Sequence, residues 1–167
     1  MSQGPRYHMQ FRRRREGRTD YRQRLTLLRS GKVRAVVRKS LSGTMVQLVE
    51  YSEAGDMVLA QASYNDLRKL GWEHSLKDTT ASYLVGLLAG VRAKKADIGE
   101  AILDIGLQEP KKGSRVFAAL KGLIDAGLEI PHGEEVIPSD DRIEGAHKDD
   151  GAFKGSFERL RSTIMEM

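Results

Sequence analysis

Three short apolar runs carry the clearest pattern in the first half of the chain: Val33 to Lys39 (VRAVVRK), Thr44 to Tyr51 (TMVQLVEY) and Met57 to Ser63 (MVLAQAS). Each has strand length, and turn residues separate them, first Ser42 and Gly43, then Glu53 to Asp56. The spacing predicts an antiparallel meander. Arg34, Arg38 and Gln47 alternate with apolar neighbours, which predicts a sheet with one polar face. A short helical segment at 64–70 follows, and Ser75 with Asp78 has the spacing of a capping box. Beyond it the period becomes helical, with Leu84, Leu87, Leu88 and Val91 on one stripe. Gly86 and Gly90, four apart, predict a close approach of that helix to a sheet, at some loss of helix propensity. Ala101 to Gly106 (AILDIG) reads as a buried strand, leading through the loop Leu107 to Gly113 into a helix that opens at Ser114. Val116, Phe117, Leu120, Leu123 and Ile124 face inward on it, and Gly127 ends it. Three strands, a helix, a strand and a helix predict an α/β sandwich with a mixed sheet.

The flanks differ from this middle. Residues 1–18 have no apolar period and contain Gly4, Pro5 and Gly17, so an extended basic arm is expected, disordered until a partner orders it. Thr19 or Asp20 can cap a helix whose Tyr21, Leu25 and Leu28 form an apolar stripe, with Gly31 at its end. Arg22 and Arg29, seven apart, share another face of it. From residue 131 the chain turns acidic and glycine-rich. Ser139 is placed to cap a helix at 140–144, and Phe153, Phe157, Leu160 and Ile164 define a terminal amphipathic helix that docks on the domain or on a neighbour. The expected organisation is an arm at 1–18, an α/β domain at 19–130 and an acidic helical tail at 131–167.

Charge changes the picture most. The chain has 167 residues and a net charge of +5. Its first 40 residues hold eleven arginines and two lysines against Glu16 and Asp20, a net of +11, which leaves −6 on the rest. A basic arm on a mildly acidic body predicts a polyanionic partner engaged from one end. There is no cysteine, so disulfides and thiolate chemistry are excluded. No apolar run approaches a membrane span, and neither a secretory signal nor a membrane partner is expected.

Candidate chemistry adds little. His8, His74, His132 and His147 are scattered without metal-ligand spacing. Asp104, at the end of a predicted core strand, is the best single acid, although bracing the following loop explains it more simply. Asp140 and Asp141 fit a helix start as well as a cation site. The loop from Gly106 to Ser114 fails the phosphate-loop pattern, because Lys112 precedes Gly113. Lys111, Lys112 and Arg115 beside a helix start are nonetheless suited to a phosphate contact. No catalytic residue, cofactor or metal is expected.

The arm reads as RNA-binding. Arginine presents planar donors that bind phosphates bidentately and stack on bases, and it dominates lysine here. Tyr7, Phe11 and Tyr21 interleave with the arginines and can stack on unpaired bases. No helix-turn-helix, zinc finger or zipper points to duplex DNA. The candidate contacts are Arg6, Tyr7, Phe11, Arg12, Arg13, Arg14, Arg15, Arg18, Tyr21, Arg22, Arg24 and Arg29 on the arm and first helix, then Arg34, Arg38 and Lys39 on the strand edge, and Lys111, Lys112 and Arg115 in the loop.

Four long stretches in order, GPRYHMQFRRRREGRTDYRQRLTLLRSGKVRAVVRKS, LGWEHSLKDTTASYLVGLLAG, AILDIGLQEPKKGSRVFAALKGLIDAGLEIPH and VIPSDDRIEGAH, resemble the archaeal and eukaryotic branch of ribosomal protein L-eighteen, whose eukaryotic members are called L-five. The resemblance covers nearly the whole chain. It implies a ribonuclease-H-like three-layer α/β fold without nuclease activity. It also implies a structural role in the large ribosomal subunit, binding 5S ribosomal RNA and helping to seat it in the central protuberance. The implied partners are 5S and large-subunit ribosomal RNA and neighbouring ribosomal proteins, among them the other 5S-binding protein, on the cytoplasmic ribosome. Length and tail resemble an archaeal member. The alternatives are a metal-dependent nuclease using Asp104, and a non-ribosomal RNA chaperone.

Overall fold

The computed structural model describes residues 4–148 and 151–167, apart from the side chain of His147. Strands β1 (Arg34–Lys39), β2 (Thr44–Glu50) and β3 (Met57–Ser63) form the antiparallel meander, and β4 (Ile102–Asp104) adds parallel to β1. The sheet order is β3-β2-β1-β4. The alternation read from sequence is realised in the register. Ala35, Val37, Val46, Leu48, Ala60 and Ala62 are buried on one face. Arg34, Arg38, Gln47 and Asp104 occupy the other, where Gln47 donates to Gln61 at 3.2 Å.

Helices α4 (Thr79–Lys95) and α5 (Arg115–Asp125) cover the apolar face and pack on each other. The single apolar stripe expected on α4 is replaced by burial all round, from Thr80 to Gly90. The sheet lies on one side of it, α5 on another, and α6 (Asp140–Glu144) and α7 (Gly151–Glu166) on the outside. Phe153, Phe157, Leu160 and Ile164 dock α7 into this layer, with Phe157 5.9 Å from the Tyr83 ring and Phe153 5.5 Å from Trp72. The Tyr83 hydroxyl donates to Asp125 at 2.9 Å and ties α4 to α5. Burial, with that carboxylate beside it, pushes the phenol far above its ordinary pKa, so it stays a donor. Among the described residues, no helix is long and apolar enough to cross a membrane.

The glycines of α4 serve a different neighbour from the one the sequence suggests. A Cβ on Gly86 would collide with the Ala119 carbonyl, and one on Gly122 with the Tyr83 carbonyl, so the close approach is between α4 and α5. Gly122→Ala should therefore cost about 3 kcal/mol, since backbone rather than a side-chain tip must move. Gly155→Ala, where open space surrounds the exposed α7 position, should be neutral or stabilising by up to about 1 kcal/mol. Paired urea titrations measure both, and equal midpoints would refute the close-packing account.

Local caps also shift. The capping box sits at Ser63 and Asp66, opening α3 (Tyr64–Lys69), while Ser75 and Asp78 form none; Asp78 is itself the N-cap of α4. Asp66 also binds Arg92 at 3.2 Å, and this second partner comes from tertiary packing that spacing cannot register.

Candidate nucleic-acid interface

The arm departs from a fully extended chain. Arg12–Arg15 form one helical turn, α1, with no buried residue. Glu16 stabilises it from the i+4 position by accepting from Arg12 Nε at 2.9 Å, and it also pairs with Arg18. Gly17, at φ 62°, ends it in a Schellman arrangement: its N–H bonds Arg14 O and that of Arg18 bonds Arg13 O. Arg13 donates to Thr19 at 3.0 Å. Tyr7 and Phe11 are exposed, Phe11 by 86%.

Helix α2 (Tyr21–Leu28) begins at Asp20, whose carboxylate accepts from the N–H groups of Arg22 and Gln23. The sequence places Tyr21, Leu25 and Leu28 on the packed side, yet Tyr21 and Leu25 are exposed. The side turned toward the body carries Arg24, Leu27 and Leu28, each half-buried. An ion pair decides this rotation: Arg24 binds both oxygens of Asp56, at 2.8 and 2.9 Å, in the turn between β2 and β3.

From that pair a charged ladder runs across the polar sheet face. Asp56 also accepts from Arg34 at 2.7 Å, Arg34 reaches Asp104 at 3.0 Å, and Asp104 accepts from Arg38 at 2.9 Å and from the Gly106 N–H at 2.9 Å. Arg38 further donates to the carbonyls of Val37 and Asp104. The sequence places Arg34 on an RNA-contacting strand edge, but its side chain is only 3% exposed and lies between two carboxylates. Parallel pairing with β4 brings Asp104 alongside and buries both. Asp104 thus braces the loop after β4. Among the described residues, no group of three or more potential ligands is placed to hold a metal ion.

Partial burial pulls the Asp56 carboxyl upward, but the hydrogen bonds and charges of Arg24 and Arg34 outweigh it and hold its pKa below the usual 3.8. Asp66 is held low in the same way, by the Ser63 N–H and by Arg92 acting against burial. A carboxyl depressed by folding contributes stability that is full above its unfolded pKa and is lost as pH falls through the lower, folded value. The urea midpoint should therefore drop below about pH 4, and Asp56→Asn should show a shallower drop than the unaltered chain. Parallel acid profiles would remove Asp56 from the account.

Arm, α2, the end of β1 and the loop after β4 enclose a cleft of about 350 Å³. Arg13, Arg18, Arg24, Arg38 and Lys39 line it, against Asp20 and Asp104. Gln108, missed by the sequence reading, forms part of the wall; its amide donates to Val37 O at 3.0 Å where β4 no longer pairs with β1. Arg6, Arg14, Arg22, Arg29 and Lys39 show no side-chain partner among the described residues, leaving them available to an anion. Lys111 and Lys112 are exposed and, among the described residues, paired only with surface carboxylates, Glu109 and Glu135. Such pairs stabilise by about 0–1 kcal/mol and yield readily to phosphate. Arg115 is separated from them and turns toward Lys77, whose carbonyl it binds at 2.9 Å.

The sequence model of the family described as ribosomal large subunit proteins 60S L5 and 50S L18 matches residues 5–99 and 92–133. The large ribosomal subunit protein uL18 of Korarchaeum cryptofilum (strain OPF8) is 49% identical over 169 residues, covering 99% of this chain and 87% of that protein.

Proposed function

The chain belongs to the family of large-subunit ribosomal proteins 60S L5 and 50S L18 and is a structural constituent of that subunit, and from this premise we propose that it binds 5S ribosomal RNA and helps attach it to the central protuberance. The cleft between arm and sheet is the observation that carries the reading. Arg13 and Arg18 from the arm converge there with Arg38 and Lys39 at the end of β1, so phosphates entering from one side meet cations from two separate stretches of chain. Arg6, Arg12 to Arg15, Arg18, Arg22, Arg29, Arg38, Lys39, Lys111 and Lys112 hold phosphates, and exposed Tyr7, Phe11 and Tyr21 stack on unpaired bases. Arg24 and Arg34, held by Asp56 and Asp104, orient α2 and the strand instead. The protein works on cytoplasmic ribosomes beside the other 5S-binding protein. A three-strand meander with a parallel strand added next to the first supports the ribonuclease-H-like arrangement.

Competition binding tests this. Full-length protein is mixed with labelled 5S RNA and challenged with unlabelled 5S or a scrambled RNA of equal length. Preferential displacement by 5S is expected; equal displacement would reduce the interface to a generic polycation.

A further inference from the structure

A second cationic cavity lies away from the arm, where α4 and α5 begin and the segment from α6 to the 3-10 turn Ala146–Lys148 closes over them. Its volume is about 320 Å³, and among the described residues Lys77, Arg115, Arg142 and Lys148 line it with a single carboxylate, Asp78. Asp78 is paired with Lys148, so it neutralises one of the four charges. Lys77 and Arg142 are exposed and show no side-chain partner among the described residues, and Arg115 donates only to a backbone carbonyl. Four cations drawn from three separate stretches of chain repel one another unless an anion joins them. The side chains of Asp78 and Ser114, the N-caps of α4 and α5, accept no capping hydrogen bond, so the opening N–H groups of both helices lack acceptance from their N-cap side chains.

We infer that this cavity is a phosphate-binding pocket, with Lys77, Arg115 and Arg142 as its anion contacts and Lys148 held at its rim by Asp78. The ligand chemistry is a phosphate group, supplied by the backbone of an RNA segment other than the one on the arm or by a free phosphate ion. The pocket stands independently of the assignment to 5S RNA.

The test uses the full chain and the variant Lys77→Gln/Arg142→Gln, which alters two exposed side chains and should melt within a degree or two of the unaltered protein. Thermal melts are run in inorganic phosphate and in chloride at equal ionic strength. Phosphate at ten times its dissociation constant should raise the midpoint by roughly 3–6 °C more in the unaltered chain than in the variant. RNA binding measured against salt distinguishes the two sources. A slope lower by roughly two in the variant identifies RNA backbone, at about one per lost contact. An unchanged slope with the phosphate effect retained identifies a free phosphate ion. Absence of both effects overturns the pocket and favours an acidic protein neighbour. Loss of 5S selectivity alone would defeat the function proposed above while leaving the phosphate-dependent melt in place.

Discussion

Raising salt from 50 to 200 mM is expected to weaken 5S RNA binding roughly a thousandfold, because about six cations displace condensed counterions from the RNA. We place them among the cations that the fold leaves without a buried partner. Arg6, Arg14, Arg22, Arg29 and Lys39 have no side-chain partner among the described residues, and Arg12 and Arg18 share one acid, Glu16. Replacing Arg12 to Arg15 with glutamine should reduce the slope of log affinity against log salt by roughly three to four and weaken both 5S and scrambled RNA. Selectivity should survive better than affinity, since phosphate contacts position and base contacts specify. Nitrocellulose filter binding across a salt series reads both quantities. An unchanged slope in the quadruple variant would remove the arm from the interface.

The second large effect concerns stability. Asp104→Ala should destabilise the fold by about 3 kcal/mol, the lower end of the range for breaking a buried ion pair, because Arg34 keeps Asp56. For a chain of this size that lowers the melting midpoint by roughly 10 °C. Arg34 is 2% exposed, and losing Asp104 would leave Asp56 as its only carboxylate while also freeing the Gly106 N–H and Arg38. Removing both charges as Arg34→Met/Asp104→Leu should recover most of the loss, because apolar packing commonly equals a buried ion pair. Asp56 then keeps Arg24 and Arg38 keeps two backbone carbonyls. Urea unfolding of the single and double variants decides the matter. An Asp104→Ala midpoint within 1 kcal/mol of the unaltered chain would mean that the ladder is far better solvated than its burial indicates.

Much of the architecture is readable from local pattern. The strands at 34–39, 44–50 and 57–63 and the helices that begin after Asp20, Ser114 and Ser139 fall where alternation, turn residues and residue type place them, and of these three N-caps Asp20 alone makes a side-chain cap bond. Departures occur where a distant partner overrides a local preference. Tyr21 and Leu25 of the α2 stripe face solvent, while Arg24 is drawn to Asp56, 32 residues away. The Ser75 to Asp78 spacing forms no box, and Asp78 instead pairs with Lys148, 70 residues away.

The charge asymmetry, the strand and helix alternation and the likeness to a ribosomal family are therefore properties of the sequence alone, since each depends on residue type and short spacing. Only the tertiary structure separates the arginines that brace from those that remain available. Arg34 and Asp104 are 70 positions apart and meet because β4 pairs beside β1. The second cavity has the same origin. Lys77, Arg115, Arg142 and Lys148 form no motif along the chain, and they converge because α4 and α5 pack closely enough to bring their first turns together. Ion pairing depends on distances in space, and those are set by sheet order and helix packing rather than by any local period.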